Sequence, residues 1–169
     1  GDIESMPFME AVRQLHREEG HENVMFIHTT LVPVIGAVGE QKTKPTQHSV
    51  KELQGLGIRP DVIVGRSTDP LEPDIAAKIA FFADIPPENV VSAPDAKSIY
   101  DVPMHVVDQQ VPQLSEERLG LKRREPDMTQ WQDFAERVSN GTREVEIALI
   151  GKYTDLKDSY ISHEETLRY

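Results

Sequence analysis

The sequence has 169 residues, 38% of them hydrophobic, so it is long enough to bury one substantial core. Its formal net charge of −11 argues against a general nucleic-acid or anionic-membrane surface, because both of those partners are polyanions. The absence of cysteine excludes a disulfide framework, a thiolate metal site and a thiol nucleophile within this chain. We expect a cytoplasmic protein without nucleic-acid or membrane partners, and a start at Gly1 suggests a segment of a longer polypeptide.

Strands and helices alternate along the first part of the sequence. Ser5 can cap a helix whose apolar residues recur at helical spacing until Gly20. The apolar, β-branched run at 23–32 predicts a strand that is buried on both faces. Further helices are predicted at 50–56 and 74–83, and further strands at 61–64 and 90–92. This alternation, with short connections, predicts an α/β fold with a doubly wound, mostly parallel sheet.

The last part of the sequence differs in character. An acidic helix is predicted at 128–138, and the polar stretch at 139–143 has the composition of a linker. The apolar run at 145–150 predicts a strand, and a helix is predicted from Asp158 to the end. One strand and one helix cannot close a core, so this second domain is expected to be incomplete. The predicted parts are residues 1–127, residues 128–143 and residues 144–169.

A polar loop at 39–48 joins the first predicted strand to the next helix. Lys42 and Lys44 stand two residues apart in it, and Thr46 is placed to cap that helix. A helix N-terminus carries unpaired N–H groups and partial positive charge, so the loop predicts a cradle for a polyphosphate. It is not a Walker loop, because Gly-x-x-x-x-Gly-Lys is absent. The alternative interpretation is an ordinary exposed loop with two solvated lysines.

Three other polar features each have a structural and a functional interpretation. Lys78 interrupts an otherwise apolar helix, where it either extends to water or meets an anion. Arg66 follows a predicted strand, at the position where open α/β sheets bind their ligands. Asp2, Glu4 and Glu10 cluster at the start of the first helix, where either the helix dipole or a binding site accounts for them.

The loop and the stretches around it resemble CTP synthases. The resemblance covers the whole chain and is most specific in Gly-Glu-Gln-Lys-Thr-Lys-Pro-Thr-Gln-His-Ser-Val at 39–50. Shorter matches lie at 1–5, 30–33, 57–61, 98–100 and 151–153. It implies the later part of the P-loop-like amidoligase (synthetase) domain, the interdomain linker, and the first strand and helix of a glutamine amidotransferase domain.

CTP synthases convert UTP to CTP. ATP phosphorylates the uracil O4, and ammonia released from glutamine displaces that phosphate. Mg²⁺ ions neutralise the negative charge of the phosphate groups. The resemblance therefore implies ATP and Mg²⁺ as cofactors, UTP, CTP and glutamine as ligands, and a homotetramer. It places the magnesium ligands and the glutaminase residues outside this chain, so we expect the segment alone to be inactive.

The resemblance also implies site residues. The triphosphate of UTP or CTP is held by Lys42, Thr43, Lys44, Pro45, Thr46, Gln47 and Lys78. The feedback inhibitor CTP is recognised by Asp2, Ile3 and Glu4, with Glu10 as a further candidate. The adenosine pocket of ATP includes Arg66, Asp95 and Ala96. Two alternatives are a nucleotide-binding regulatory or scaffolding protein without chemistry, and a generic α/β domain with incidental lysines.

Overall fold

The computed structural model describes residues 3–36 and 39–167 and divides into two compact units, Gly1–Pro126 and Asp127–Tyr169. In the described residues, no helix is both long and apolar enough to cross a membrane. The elements of the first unit are α1 (Met6–Glu19), β1 (Ile27–Leu31), β2 (Val34–Ile35), β3 (Glu40–Gln41), α2 (Lys44–Gly55), β4 (Val62–Ser67), α3 (Pro73–Ala83), β5 (Val90–Pro94), α4 (Val102–Asp108) and α5 (Val111–Arg118).

A parallel three-stranded sheet of order β1-β4-β5 forms the centre of the first unit. Helix α2 connects β1 to β4, and α3 connects β4 to β5. The two helices pack against each other and against the sheet. Their apolar faces meet it in a core of buried aliphatic side chains: Val32, Val50, Ile63, Ile79 and Ala83. The predicted α/β fold with a parallel sheet is therefore confirmed.

The strand order never reverses among the described strands. A doubly wound sheet requires such a reversal, because helices reach the second face only when the chain turns back across the sheet. Here the order advances from β1 through β4 to β5, with both crossover helices in mutual contact. The doubly wound part of the prediction therefore has no counterpart in residues 3–36 and 39–167.

Strand β1 differs from its prediction in length and in burial. It begins at Ile27 and pairs with β4, but Ile27 and Leu31 are exposed, so it is not buried on both faces. The segment before it has other bonding partners. The Phe26 N–H donates to the Asp61 carboxylate, and the Val24 carbonyl accepts a hydrogen bond from Arg118. These bonds explain why the regular ladder starts later than the apolar run.

The first and third helices form as predicted but are more exposed than their sequences suggest. In α1 the periodic residues Phe8, Val12 and Leu15 face solvent, with Phe8 72% exposed. Ser5 occupies the cap position of α1 but makes no side-chain capping bond to it. In α3 both Lys78 and Phe81 are exposed, so this helix is buried only on the side that carries Ile79.

The second unit contains α6 (Thr129–Ser139) and α7 (Ile161–Thr166), the latter preceded by a 3₁₀ turn at Lys157–Tyr160. The helix predicted at 128–138 is confirmed. The strand predicted at 145–150 is wrong, because that run has no regular secondary structure. A strand needs a neighbour for its backbone N–H and C=O groups, and the described part of this unit contains no other strand.

Candidate functional site

The predicted lysine loop begins with the second strand of a short β-hairpin. Strands β2 and β3 pair antiparallel, with Val34 opposite Gln41 and Ile35 opposite Glu40. The N–H of Lys42 then donates to the Pro33 carbonyl at 2.9 Å, which extends the pairing by one residue. The backbone that carries Lys42 is therefore fixed beside the carboxyl end of β1.

Helix α2 begins earlier than predicted, so Thr46 is not its cap. The cap position belongs to Thr43, and Pro45 fits in the first turn because the N–H it lacks would have no helical partner there. Thr46 is only 1% exposed; its hydroxyl accepts from Thr30 Oγ1 (3.3 Å) and donates to the Leu31 carbonyl (3.2 Å). Thr46 therefore anchors the start of α2 to β1.

Thr43 and Gln47 also bond within the protein. The Gln47 side-chain amide donates to Thr43 Oγ1 at 2.9 Å, and Thr43 is buried. No side-chain cap bonds to the first-turn N–H groups of α2. These side chains thus shape the loop, and the N-terminus of α2 supplies its partial positive charge.

Two lysines from different elements act on one carboxylate. Lys42 Nζ lies 2.6 Å from Glu40 Oε2, and both side chains are partly exposed. The ion-paired hydrogen bond from Lys42, and more weakly the charge of Lys78, lower the pKa of the Glu40 carboxyl below its ordinary value. Lys44, exposed in the first turn of α2, adds a third cation to this edge of the sheet. The described residues therefore place Lys42, after the hairpin, and Lys44, on α2, two residues apart, and the charge of Lys78 on α3 acts on the same carboxyl group.

Arg66 and Asp95 form a second charged group at the carboxyl edge. Arg66 Nη2 lies 2.8 Å from Asp95 Oδ1, and Nη1 donates to the carbonyls of Ala93 and Pro94. Both charged side chains remain largely exposed, and Ala96 follows directly. The two polar residues that the resemblance assigns to one pocket are thus in contact.

The acidic residues at the start of α1 are arranged differently. Asp2 lies outside the described residues, and Ile3 and Glu4 are exposed in a 3₁₀ turn. Glu10 accepts hydrogen bonds from Arg13 and Gln14 of its own helix, and these bonds lower the pKa of its carboxyl to about 2. These bonds within α1 account for the acidic residue at position 10, whereas this explanation does not apply to Glu4.

A charged network at the amino edge of the sheet was missed by the sequence analysis. Arg118 Nε pairs with Asp61 Oδ1 at 2.5 Å, and these side chains are only 17% and 15% exposed. Arg118 Nη2 also donates to the Val24 carbonyl and contacts His21 Nδ1, which must be an acceptor because a guanidinium only donates. Asp61 and Arg118 are 57 residues apart. Asp61 ends one of the short stretches that resemble CTP synthases, but nothing in that stretch indicates a partner at Arg118.

Glu40 and Gln41 were missed as well, although they directly precede Lys42. An acid two residues before a lysine is the one signal that could have identified Glu40. Gln41 is buried, and its amide bonds to the backbone of the segment between β4 and α3. Nothing in the sequence marks a glutamine in a polar loop as buried.

Comparisons with known proteins agree on one family. The family model described as CTP synthase N-terminus matches residues 1–121. The CTP synthases of Thermococcus kodakarensis and Geobacillus kaustophilus are each 53% identical over 169 residues, which is 100% of this chain and 32% of each relative. The CTP synthase of Methanocaldococcus jannaschii is 48% identical over 167 residues, 99% of this chain and 31% of that protein. This chain thus spans about a third of the length of the relatives it matches.

Proposed function

This chain belongs to the CTP synthase family, and we propose that it carries the site that holds the triphosphate of UTP and of CTP. The observation that carries the proposal is the ion pair of Lys42 with Glu40 at the carboxyl edge of the sheet, with Lys44 on the first turn of α2. The charge of Lys78 also lowers the pKa of the Glu40 carboxyl. Open α/β sheets bind ligands at this edge. In a chain of net charge −11, such a cluster of cations is a selective seat for a polyanion.

The full-length protein is proposed to be a ligase of pyrimidine nucleotide biosynthesis. It would form CTP from UTP with ATP and glutamine-derived ammonia, as the name shared by its relatives supports. Within the triphosphate site, Lys42, Lys44 and Lys78 neutralise the phosphates. The buried Thr43 and Thr46, together with Gln47, fix the loop that presents them.

Recognition of CTP as a feedback inhibitor is assigned to the turn before α1. A carboxylate is a hydrogen-bond acceptor only, so Asp2 and Glu4 suit the amino group of cytosine and repel the uracil O4. The exposure of Ile3 and Glu4 supports this assignment, because both side chains are accessible. Glu10 is a weaker candidate, since its carboxylate already bonds to Arg13 and Gln14.

The adenosine part of ATP is assigned to the group formed by Arg66, Asp95 and Ala96. Its support is the contact between the Arg66 guanidinium and the Asp95 carboxylate at the carboxyl edge. For Mg²⁺ the described residues do not fit, because they contain no group of three or more His, Asp and Glu side chains that could hold a metal ion. We therefore derive no metal-dependent step from this chain.

We also propose a place for the chain within the longer protein. Residues 1–127 would be the later portion of the amidoligase domain, residues 128–143 the terminal helix and linker, and residues 144–169 the start of the glutamine amidotransferase domain. A homotetramer is proposed, with α1 and the lysine loop as its contact. The exposed apolar side chains of Phe8 and Leu15 on α1 support that contact.

Competition binding with the full-length protein tests the triphosphate seat. Labelled UTP is titrated with CTP, inorganic triphosphate or uridine as competitors. We expect CTP and inorganic triphosphate to displace UTP, and uridine to fail at the same concentrations, because the cations recognise phosphate. Failure of inorganic triphosphate to displace UTP would overturn the proposal.

A further inference from the structure

We propose that Gln41 is a positioning residue whose amide holds the hairpin that carries Lys42 against the segment that leads into the helix of Lys78. This inference rests on the proposed triphosphate site and deepens it. Gln41 is not among the residues assigned above to contact the nucleotide. It would act by fixing the spacing of two cations that belong to different elements.

The geometry of the Gln41 amide is that of a two-ended clamp. The side chain is only 5% exposed. Its Nε2 donates to the Pro70 carbonyl at 2.8 Å, and its Oε1 accepts from the Glu72 N–H at 3.0 Å. Both partners lie between β4 and α3, and Glu72 is the cap residue of α3. An uncharged side-chain amide supplies both the donor and the acceptor that these two bonds need.

Gln41 and its partner Glu72 each lie near a lysine in the sequence. Lys42 is the residue after Gln41, and its own N–H is bonded to the Pro33 carbonyl. Lys78 lies in α3, which begins directly after Glu72. Lys42 forms an ion pair with Glu40, and the charge of Lys78 also lowers the pKa of that carboxyl group. The Gln41 amide is therefore a short, buried connection between the two halves of the cation cluster.

Electrostatics explains why this connection matters for binding. Two ammonium groups repel each other, and in a mobile loop they would separate or turn to water. A site whose cations are already held at a fixed spacing loses less freedom when a polyphosphate binds. The Gln41 hydrogen bonds therefore help to preorganise the spacing of Lys42 and Lys78 before a polyphosphate binds.

A second glutamine in the same unit provides a matched control. Gln54, near the end of α2, donates through Nε2 to the Ala83 carbonyl at 3.3 Å. It also joins a second element to α3, but at the end of α3 away from Glu72. Gln41→Leu and Gln54→Leu each remove one partly or fully buried amide of similar size. The two variants differ in one respect: only Gln41→Leu removes hydrogen bonds next to the segments that carry Lys42 and Lys78.

The experiment measures nucleotide affinity and thermal midpoint for both variants of the full-length protein. We expect Gln41→Leu to weaken UTP roughly tenfold, the scale of one charge-assisted phosphate contact, and UMP by less than about twofold. Gln54→Leu should lower the thermal midpoint and leave UTP affinity within about twofold. In a Lys78→Met background the effect of Gln41→Leu on UTP should shrink to about threefold or less, because coupled residues are not additive.

Gln41→Glu keeps the shape and the acceptor for the Glu72 N–H but loses the donor to Pro70. It is the second variant if Gln41→Leu does not fold, and it should weaken UTP more than UMP. Unchanged UTP affinity in a folded Gln41 variant overturns the clamp, and so does an equal loss for UTP and UMP. If Lys42→Ala and Lys78→Met also leave UTP affinity unchanged, the triphosphate site itself fails. If only the Gln41 variants leave it unchanged, the clamp alone is wrong.

Discussion

The two edges of the parallel sheet both carry charged residues, but they use them in opposite ways. At the amino edge Arg118 and Asp61 are nearly buried, and their polar atoms bond to each other, to His21 and to the backbone of Val24 and Phe26. At the carboxyl edge the lysines are exposed or half-exposed, and the fixed part is the backbone and the uncharged side chains beneath them. The first edge is complete without a ligand. At the second, Lys42 and Lys44 keep charged groups that a ligand can reach.

This contrast predicts which measurement each edge should affect. Removal of one partner from a buried ion pair leaves the other charge uncompensated in a poorly solvated place, which mainly costs stability. An exposed pair contributes little to stability, because water and salt screen it. Substitutions at the amino edge should therefore lower the free energy of unfolding, and substitutions at the carboxyl edge should lower nucleotide affinity.

The largest effect on stability is expected for Arg118→Ala. It leaves Asp61 Oδ1 and the Val24 carbonyl without the guanidinium group, so we expect a loss of about 3 kcal/mol in the free energy of unfolding. The UTP affinity of the folded fraction should stay within about twofold, since the site lies at the other edge. Urea unfolding measures the first quantity and equilibrium binding the second. Arg17→Ala, on the exposed surface of α1, is the control. If Arg118→Ala lowers the free energy of unfolding no more than this control does, the buried ion pair of Asp61 and Arg118 does not stabilise the amino edge.

Lys42→Ala and Lys44→Ala should show the converse pattern. Each charge-assisted phosphate contact is worth about 1.5–3 kcal/mol, so UTP should bind roughly tenfold more weakly, or worse, in each variant. Stability should change by less than about 1 kcal/mol, because the lost pairs are solvated. Lys51→Ala, exposed further along α2, is the control. Equal losses at all three positions would indicate general charge steering in place of a seat for phosphate.

Features that depend on local chemistry were predictable from the sequence. The alternation of apolar and polar runs predicted the parallel sheet and the positions of α1, α3 and α6, because these elements follow from residue spacing. The lysine loop was recognisable because Lys42 and Lys44 lie only two residues apart in the chain. The ligand site at the carboxyl edge stays a prediction. Lys42 directly follows β3, whereas Arg66 lies within β4, near its end, and not after it.

Features that depend on distant partners were not predictable. The pair of Asp61 and Arg118 joins residues that are 57 positions apart, and the strands of the hairpin have two residues each, too short for any periodicity. The run at 145–150 shows the converse error. Its composition favours a strand, but a strand forms only where another takes its backbone hydrogen bonds. Burial of Gln41 and Thr46 likewise follows from tertiary contacts alone.

Glu4→Ala tests whether the turn before α1 separates CTP from UTP. A single hydrogen bond contributes about 0.5–1.5 kcal/mol, so CTP inhibition of the full-length enzyme should weaken by roughly twofold to tenfold. The UTP concentration for half-maximal rate should stay nearly constant, because the proposed triphosphate seat is unchanged. Lys42→Ala, assayed alongside, should impair both. If Glu4→Ala shifts UTP dependence as much as CTP inhibition, the carboxylate does not select the inhibitor and only favours the start of its helix.

The smallest effect, and the one of opposite sign, is expected for Glu40→Gln. The Glu40 carboxylate occupies the position beside Lys42 that an anion would take, so a bound phosphate must compete with it. Glutamine keeps the shape and removes the negative charge, and UTP should bind about twofold to fivefold more tightly, the scale expected for a solvent-screened ion pair.

The pH dependence of this difference follows from the lowered pKa of Glu40. Because Lys42 holds that pKa below its ordinary value, the carboxylate stays charged throughout the neutral and mildly acidic range. The affinity ratio between Glu40→Gln and the wild type should therefore be constant there. It should approach one only as the pH falls through the lowered pKa, where the protonated acid resembles the amide. UTP titrations of both proteins at matched pH give this ratio directly, and weaker UTP binding by Glu40→Gln would show that the carboxylate orients Lys42 for phosphate and does not compete with it.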